Sequence, residues 1–138
     1  MENIIVVAVK GIILHNNKGL IIQRSADDEM GANTWEFVGR KIDFGEGLED
    51  ALIREVKEEV NLTITVDRLL YATSFKTDKH RQVVILTYLC AAHDDTVVLS
   101  NEHKNYLWAN KEQMMSLLSK PIVDNLNQNS VWEDLFAE

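Results

Sequence analysis

The chain has 138 residues, 46% apolar and 26% charged, which suits one compact domain over residues 1–138. Its 14 basic and 22 acidic residues leave a net charge of −8, which argues against a nucleic-acid polymer or an anionic membrane as a general partner. The one cysteine, Cys90, excludes an internal disulfide and, lying in an apolar run, reads as a buried structural thiol.

Taken in chain order, "NIIVVAVKGIIL" is β-branched and apolar, and predicts one long strand or two. No basic region precedes it, and its apolar run is too short to cross a bilayer, so a cytoplasmic location is the expectation. "HNNKG" predicts a turn, with Gly19 free to take a positive φ. Leu20 to Arg24 should return as the hairpin partner, followed by the polar loop "SADDEMGANT". "WEFVGRKIDFGEG" is a short apolar piece running into a glycine-punctuated loop. "LEDALIREVKEEV" predicts a helix of thirteen residues, which Asn61 can close in the left-handed conformation. A second hairpin should form around "TDKH", with Lys76, Lys79, His80 and Arg81 as its solvated tip. "YLWA" predicts a short strand. Asn110 with Gln113 resembles a capping box, and Pro121 should start a last helix. Clustered strands, one central helix and helices at the end imply an α/β protein with a mixed sheet covered on both faces.

The central helix raises a question. Glu55, Glu58 and Glu59 stand at i, i+3 and i+4, where like charges destabilise a helix by a few tenths of a kcal/mol per pair. On a wheel of about 100° per residue, Leu48, Leu52, Val56 and Val60, joined by Ile53, form the buried stripe. Glu55 and Glu58 fall just beyond it. Glu59 falls on its margin, where an unpaired carboxylate costs several kcal/mol. A solvated acidic face accounts for Glu49, Asp50 and Lys57. A hard cation such as Mg²⁺ or Mn²⁺ accounts for Glu59, and oxygen ligands at this spacing suit one.

Residues 40–62 resemble the Nudix box. After position 40 come five residues, Glu46, seven residues, then Arg54, Glu55, an apolar residue, Glu58, Glu59, Asn61 and an apolar residue. Every charged position of the box is matched, and "TWEFVGRKIDFGEG" is similar to the family's approach to it. Three positions depart: Arg40 and Asn61 replace glycines, and Val38 replaces a proline.

The resemblance implies a Nudix-type α/β/α sandwich and a metal-dependent pyrophosphohydrolase cleaving a nucleoside diphosphate linked to another group. The short chain is similar to small members acting on (deoxy)nucleoside triphosphates, oxidised ones included. Glu55, Glu58, Glu59 and the Gly39 carbonyl would hold Mg²⁺ or Mn²⁺, while Glu46 and Arg54 would orient the glutamates. Arg54 could equally pair with Glu58 within the helix. Glu58 and Glu59 are expected to serve catalysis through the metal. Glu102 is the candidate general base, with His103 beside it; the alternative is two exposed loop residues. Arg24 at a strand end, and Arg40 swung outward as a phosphate clamp, are the candidate substrate contacts. Base stacking could draw on Trp35, Phe37, Tyr71, Phe75, Tyr106, Trp108 or Trp132. The expected partner is a nucleotide, bound by a monomer or homodimer. The alternative function is a non-catalytic nucleotide-binding or sensor module, which Arg40 and Val38 would favour.

Overall fold

The computed structural model describes residues 2–136. Strand β1 (Ile4–His15) and strand β2 (Lys18–Arg24) form the first hairpin. Its turn departs from expectation. Asn16 and Asn17 take the positive φ angles, 51° and 62°, and Gly19 lies in β2. Two successive left-handed residues give the turn whose twist matches its strands, and asparagine tolerates that region. Gly19 instead sits against Met114, whose flexible Cε tip would have to give way to a Cβ there.

Strand β3 (Trp35–Glu36) pairs with β2. Helix α1 (Leu48–Val60) has the thirteen predicted residues, and Asn61 ends it at φ 60°, ψ 32°. Strands β4 (Ile64–Asp78) and β5 (Arg81–Ala92) form the second hairpin, and β5 runs parallel to β1 from Ile4↔Arg81 to Leu14↔Ala91. Strand β6 (His103–Ala109) is longer than "YLWA" suggests and pairs with β2. Helix α2 (Lys111–Leu117) opens on the complete Asn110–Gln113 capping box, and α3 (Lys120–Gln128) carries Pro121 in its first turn. A single turn, α4 (Trp132–Leu135), follows.

The period-two alternation of strands sorts side chains onto two faces. Val9, Ile13, Leu20 and Ile22 pack with Leu52, Val56 and Val60 of α1. Ile12 and Ile21 pack with Met114, Leu118, Leu126 and Leu135 beneath α2, α3 and α4. The result is the expected α/β/α sandwich around a mixed sheet. Burial also pushes the Cys90 thiol up to about 12, as suits an inert structural cysteine.

Two features place the site. First, the sheet forks. β1 and β2 pair only beside their turn; further along, β2 takes β3 while residues 38–42 cross to β1. The amides of Gly11 and Val9 donate to the carbonyls of Val38 (2.8 Å) and Arg40 (2.9 Å), and the Ile42 amide donates to Val7 (2.9 Å). Second, the buried side of α1 differs from the expected stripe. Leu48 and Ile53 are 36% and 40% exposed, while Ala51, Glu55 and Glu59 are buried beside Leu52 and Val56. The forked loop supplies the reason: Gly39, Arg40 and Glu46 reach that side of the helix and cover it.

Candidate active site

Gly39 is the pivot of the loop. Its φ is +141°, and a Cβ on it would lie 2.0 Å from the Val9 carbonyl oxygen, so only glycine fits this close approach to β1. Arg40 is not among the residues with positive φ, so its place in the loop does not require glycine. The carbonyls of Val38 and Arg40 are engaged by β1. Between them, the Gly39 carbonyl accepts no hydrogen bond among the described residues, which leaves it available to a ligand. The Gly39 amide donates to Glu59 Oε2 at 3.1 Å.

Three glutamates of α1 face this loop in different ways. Glu59, 4% exposed, also pairs through Oε1 with Arg40 Nε at 3.0 Å. Glu55, 6% exposed, accepts from Arg54 Nη1 at 2.9 Å. Burial, and the nearby Glu59 and Glu58, push its carboxyl up against the opposing pull of Arg54. Glu58 is more exposed and accepts from Arg54 Nη1 at 3.2 Å. Arg54 therefore makes the intrahelical pair and the orienting contact at once. Its Nε and Nη2 also grip Glu46 at 2.6 and 2.7 Å. Those hydrogen bonds, with the Asp43 amide, hold the Glu46 carboxyl down at about 2. Glu46 in turn raises the Arg54 guanidinium above its ordinary value.

Glu102 arrives from another element. The amides of Val98 and Ser100 donate to the carbonyls of Val60 and Glu59, both at 3.0 Å. These bonds close the open C-terminal end of α1 and lay residues 98–102 along it. The Ser25 amide then fixes the Glu102 carbonyl at 3.1 Å, and the Glu102 side chain meets the guanidinium of Arg40. Arg40 does not point outward: it bridges Glu59 and Glu102.

The donor set fits a hard divalent cation. It offers two nearly buried carboxylates, a third that is exposed, and a free carbonyl, all of them oxygen. As the side chains stand, no three His, Cys, Asp or Glu groups among the described residues are gathered closely enough to hold a metal. Glu58 is drawn to Arg54 and Glu59 to Arg40.

A cavity of about 660 Å³ opens on the α3 side of the sheet, lined by Lys10, Arg24, Glu36, Phe37, Tyr71, Phe75 and, from α3, Ile122 and Asn125. None of the α1 glutamates lines it. Its link to the carboxylates runs through Glu36 in its lining, which bonds His103, the residue after Glu102. Of the candidate stacking residues, Phe37, Tyr71 and Phe75 lie here. Trp132 packs instead on Phe136, and Trp108 against His15.

A polar cluster at this cavity joins Arg24 and His103 to two residues that the sequence reading did not single out, Lys10 and Glu36. Glu36 accepts from Lys10 Nζ (3.3 Å), Arg24 Nη2 (3.2 Å) and His103 Nε2 (2.9 Å). Burial alone would push the Glu36 carboxyl up. Lys10, the His103 hydrogen bond and Arg24 together outweigh it and hold the carboxyl at about 2. His103 is thus a buried strand residue, not an exposed loop residue. Arg24 also bonds Asp28 at 3.0 Å. The signal was present: Lys10 is the one charge inside a long apolar strand.

The NUDIX domain profile matches residues 6–128. The CTP pyrophosphohydrolase of Escherichia coli (strain K12) is 28% identical over 107 residues, 78% of this chain and 77% of that protein. The 8-oxo-dGTP diphosphatase of the same organism is 47% identical over 53 residues, 38% of this chain and 41% of that protein. Among solved structures, the MutT protein from Methanosarcina mazei Go1 matches with a TM-score of 0.82 at 23% identity, covering 94% of this chain and 96% of that one, which shows a shared fold.

Proposed function

The chain belongs to the NUDIX family, and from that premise we propose that this Nudix hydrolase is a Mg²⁺- or Mn²⁺-dependent pyrophosphohydrolase of a (deoxy)nucleoside triphosphate. The observation that carries the reading is the meeting of three elements at one point. The α1 glutamates, the Gly39 loop and Glu102 converge around Arg40, and His103, next to Glu102, bonds Glu36 in the lining of the aromatic-walled cavity. The two E. coli relatives, named for CTP and 8-oxo-dGTP, support a nucleotide substrate.

Glu55, Glu58, Glu59 and the Gly39 carbonyl would hold the cation. When bound, it supplies neutralisation of the diphosphate and a more acidic water. Arg54, anchored by Glu46, keeps Glu55 and Glu58 from splaying. Glu102 takes a proton from the attacking water as general base. Phe37, Tyr71 and Phe75 hold the nucleoside end in the cavity, and Arg24 and Arg40 meet the phosphates. We read the chain as one hydrolase domain working in the cytoplasm. Among the described residues no helix is long and apolar enough to cross a membrane.

A second reading, a nucleotide sensor without catalysis, is favoured by one observation: the Arg40 guanidinium sits on Glu59. A panel of nucleotides with Mg²⁺, scored for pyrophosphate, phosphate and monophosphate release, decides between them. Turnover of at least one triphosphate to monophosphate and pyrophosphate is expected. Tight binding of nucleotides with no turnover across the panel would favour the sensor.

A further inference from the structure

A carboxylate that is 4% exposed needs a partner, because an isolated buried charge is strongly destabilising. Glu59 has two: the Gly39 amide, fixed by the backbone, and the Arg40 guanidinium at 3.0 Å. The Arg40 carbonyl is tied to the Val9 amide at 2.9 Å, so its main chain is held while its side chain, 46% exposed, has room to leave. The same guanidinium reaches Glu102. One cation of the chain therefore neutralises both the most buried of the candidate metal ligands and the candidate base.

We propose that Arg40 is a tethered counter-ion of the metal site: the guanidinium and a divalent cation exclude one another at Glu59. Metal binding then releases Arg40 toward the phosphates and frees Glu102. A cation within bonding distance of Glu59 Oε1 and a guanidinium 3.0 Å from that same oxygen cannot share it without strong like-charge repulsion. Arg40 thus keeps the metal-free fold stable at the expense of metal affinity. Because the main chain of residue 40 adjoins Gly39, the released side chain stays within reach of a bound diphosphate. This inference rests on Glu59 being a metal ligand.

The test uses the full chain without nucleotide. Mn²⁺ binding is followed by loss of the free-ion EPR signal, for wild type, Arg40→Gln, Arg40→Gly and Glu59→Gln. Arg40→Gln and Arg40→Gly should bind Mn²⁺ at least about fivefold tighter than wild type. Both should melt lower than wild type in chelator, with the gap closing at saturating Mn²⁺. In wild type, modification of Arg40 by phenylglyoxal, read on the peptide by mass spectrometry, should accelerate when Mn²⁺ is added. Wild type that binds Mn²⁺ with the affinity of both variants, at an unchanged modification rate, overturns the inference and leaves the metal site standing. Glu59→Gln that binds Mn²⁺ as wild type does, or no Mn²⁺ binding by any variant, overturns the metal site and the inference together.

Discussion

The guanidinium of Arg54 holds both carboxylate oxygens of Glu46, at 2.6 and 2.7 Å, and extends its remaining nitrogen to Glu55 and Glu58. The fork geometry lets one side chain brace the loop and the helix together. Lysine has the charge without the fork. Arg54→Lys should therefore lower kcat by about 10- to 100-fold, the usual cost of losing an orienting partner behind metal ligands. The circular dichroism spectrum should stay that of wild type. Unchanged kcat would reduce the Arg54–Glu46 pair to a surface brace.

Glu59→Gln tests the ligand set. Glutamine can still accept from the Gly39 amide, so the fold should persist. Hydrolysis should fall by at least about 10²-fold, since a cation contributes several kcal/mol of charge stabilisation and the amide holds it poorly. Activity within a factor of about two of wild type would remove Glu59 from the site.

Glu102→Gln should lower kcat by roughly 10²-fold or more with little change in KM, as loss of a general base does. The readout is steady-state kinetics on the best nucleotide of the panel. A rise in KM at constant kcat would make Glu102 a binding residue and leave the base elsewhere.

Glu36 makes stability depend on acid. Its carboxyl ordinarily titrates at 4.5 and is held at about 2 in the folded chain. A carboxyl lowered on folding contributes stability that is present above its ordinary value and lost as pH falls through its folded value. That contribution, about 3 kcal/mol, should disappear between roughly pH 5 and pH 2. Glu36→Gln leaves Lys10 without its counter-charge and Arg24 with Asp28 alone, and should melt roughly 10 °C below wild type at pH 7. The gap should narrow steadily toward pH 3. Parallel melting curves at both pH values would show that Glu36 is not the titrating group.

Mg²⁺ or Mn²⁺ should stabilise the wild-type chain by about 1.4 kcal/mol at tenfold excess over Kd, and more with nucleotide present. Differential scanning calorimetry in chelator and in millimolar metal gives the comparison. A melting temperature indifferent to metal, with and without nucleotide, would count against both the enzyme and a metal-dependent sensor.

The elements whose cause is local could be read from residue order. The thirteen-residue helix, its Asn61 cap, the Asn110–Gln113 box and the Pro121 start rest on side chains and backbone a few residues apart, and each is where the spacing puts it. The box glutamates were legible for the same reason, because their spacing is a property of one helix. Turn chemistry was half legible: "HNNKG" marks the hairpin, yet the strand register, which pairs His15 with Lys18, puts the left-handed residues at Asn16 and Asn17 and leaves Gly19 in the strand. The remaining features arise from contacts between elements. Glu36, Lys10 and His103 come from three strands, and only the forked sheet gathers them into one buried cluster. The buried side of α1 turned from Leu48 and Ile53 toward Glu55 and Glu59 because the loop just before the helix folds back, between β1 and the helix, and covers it. Arg40 could have faced solvent or filled the cleft. A buried carboxylate on one side and Glu102, delivered by residues 98–102 along the end of α1, on the other drew its guanidinium between them. Such pairings follow from charge and burial at a meeting of elements remote in sequence, which no local pattern encodes.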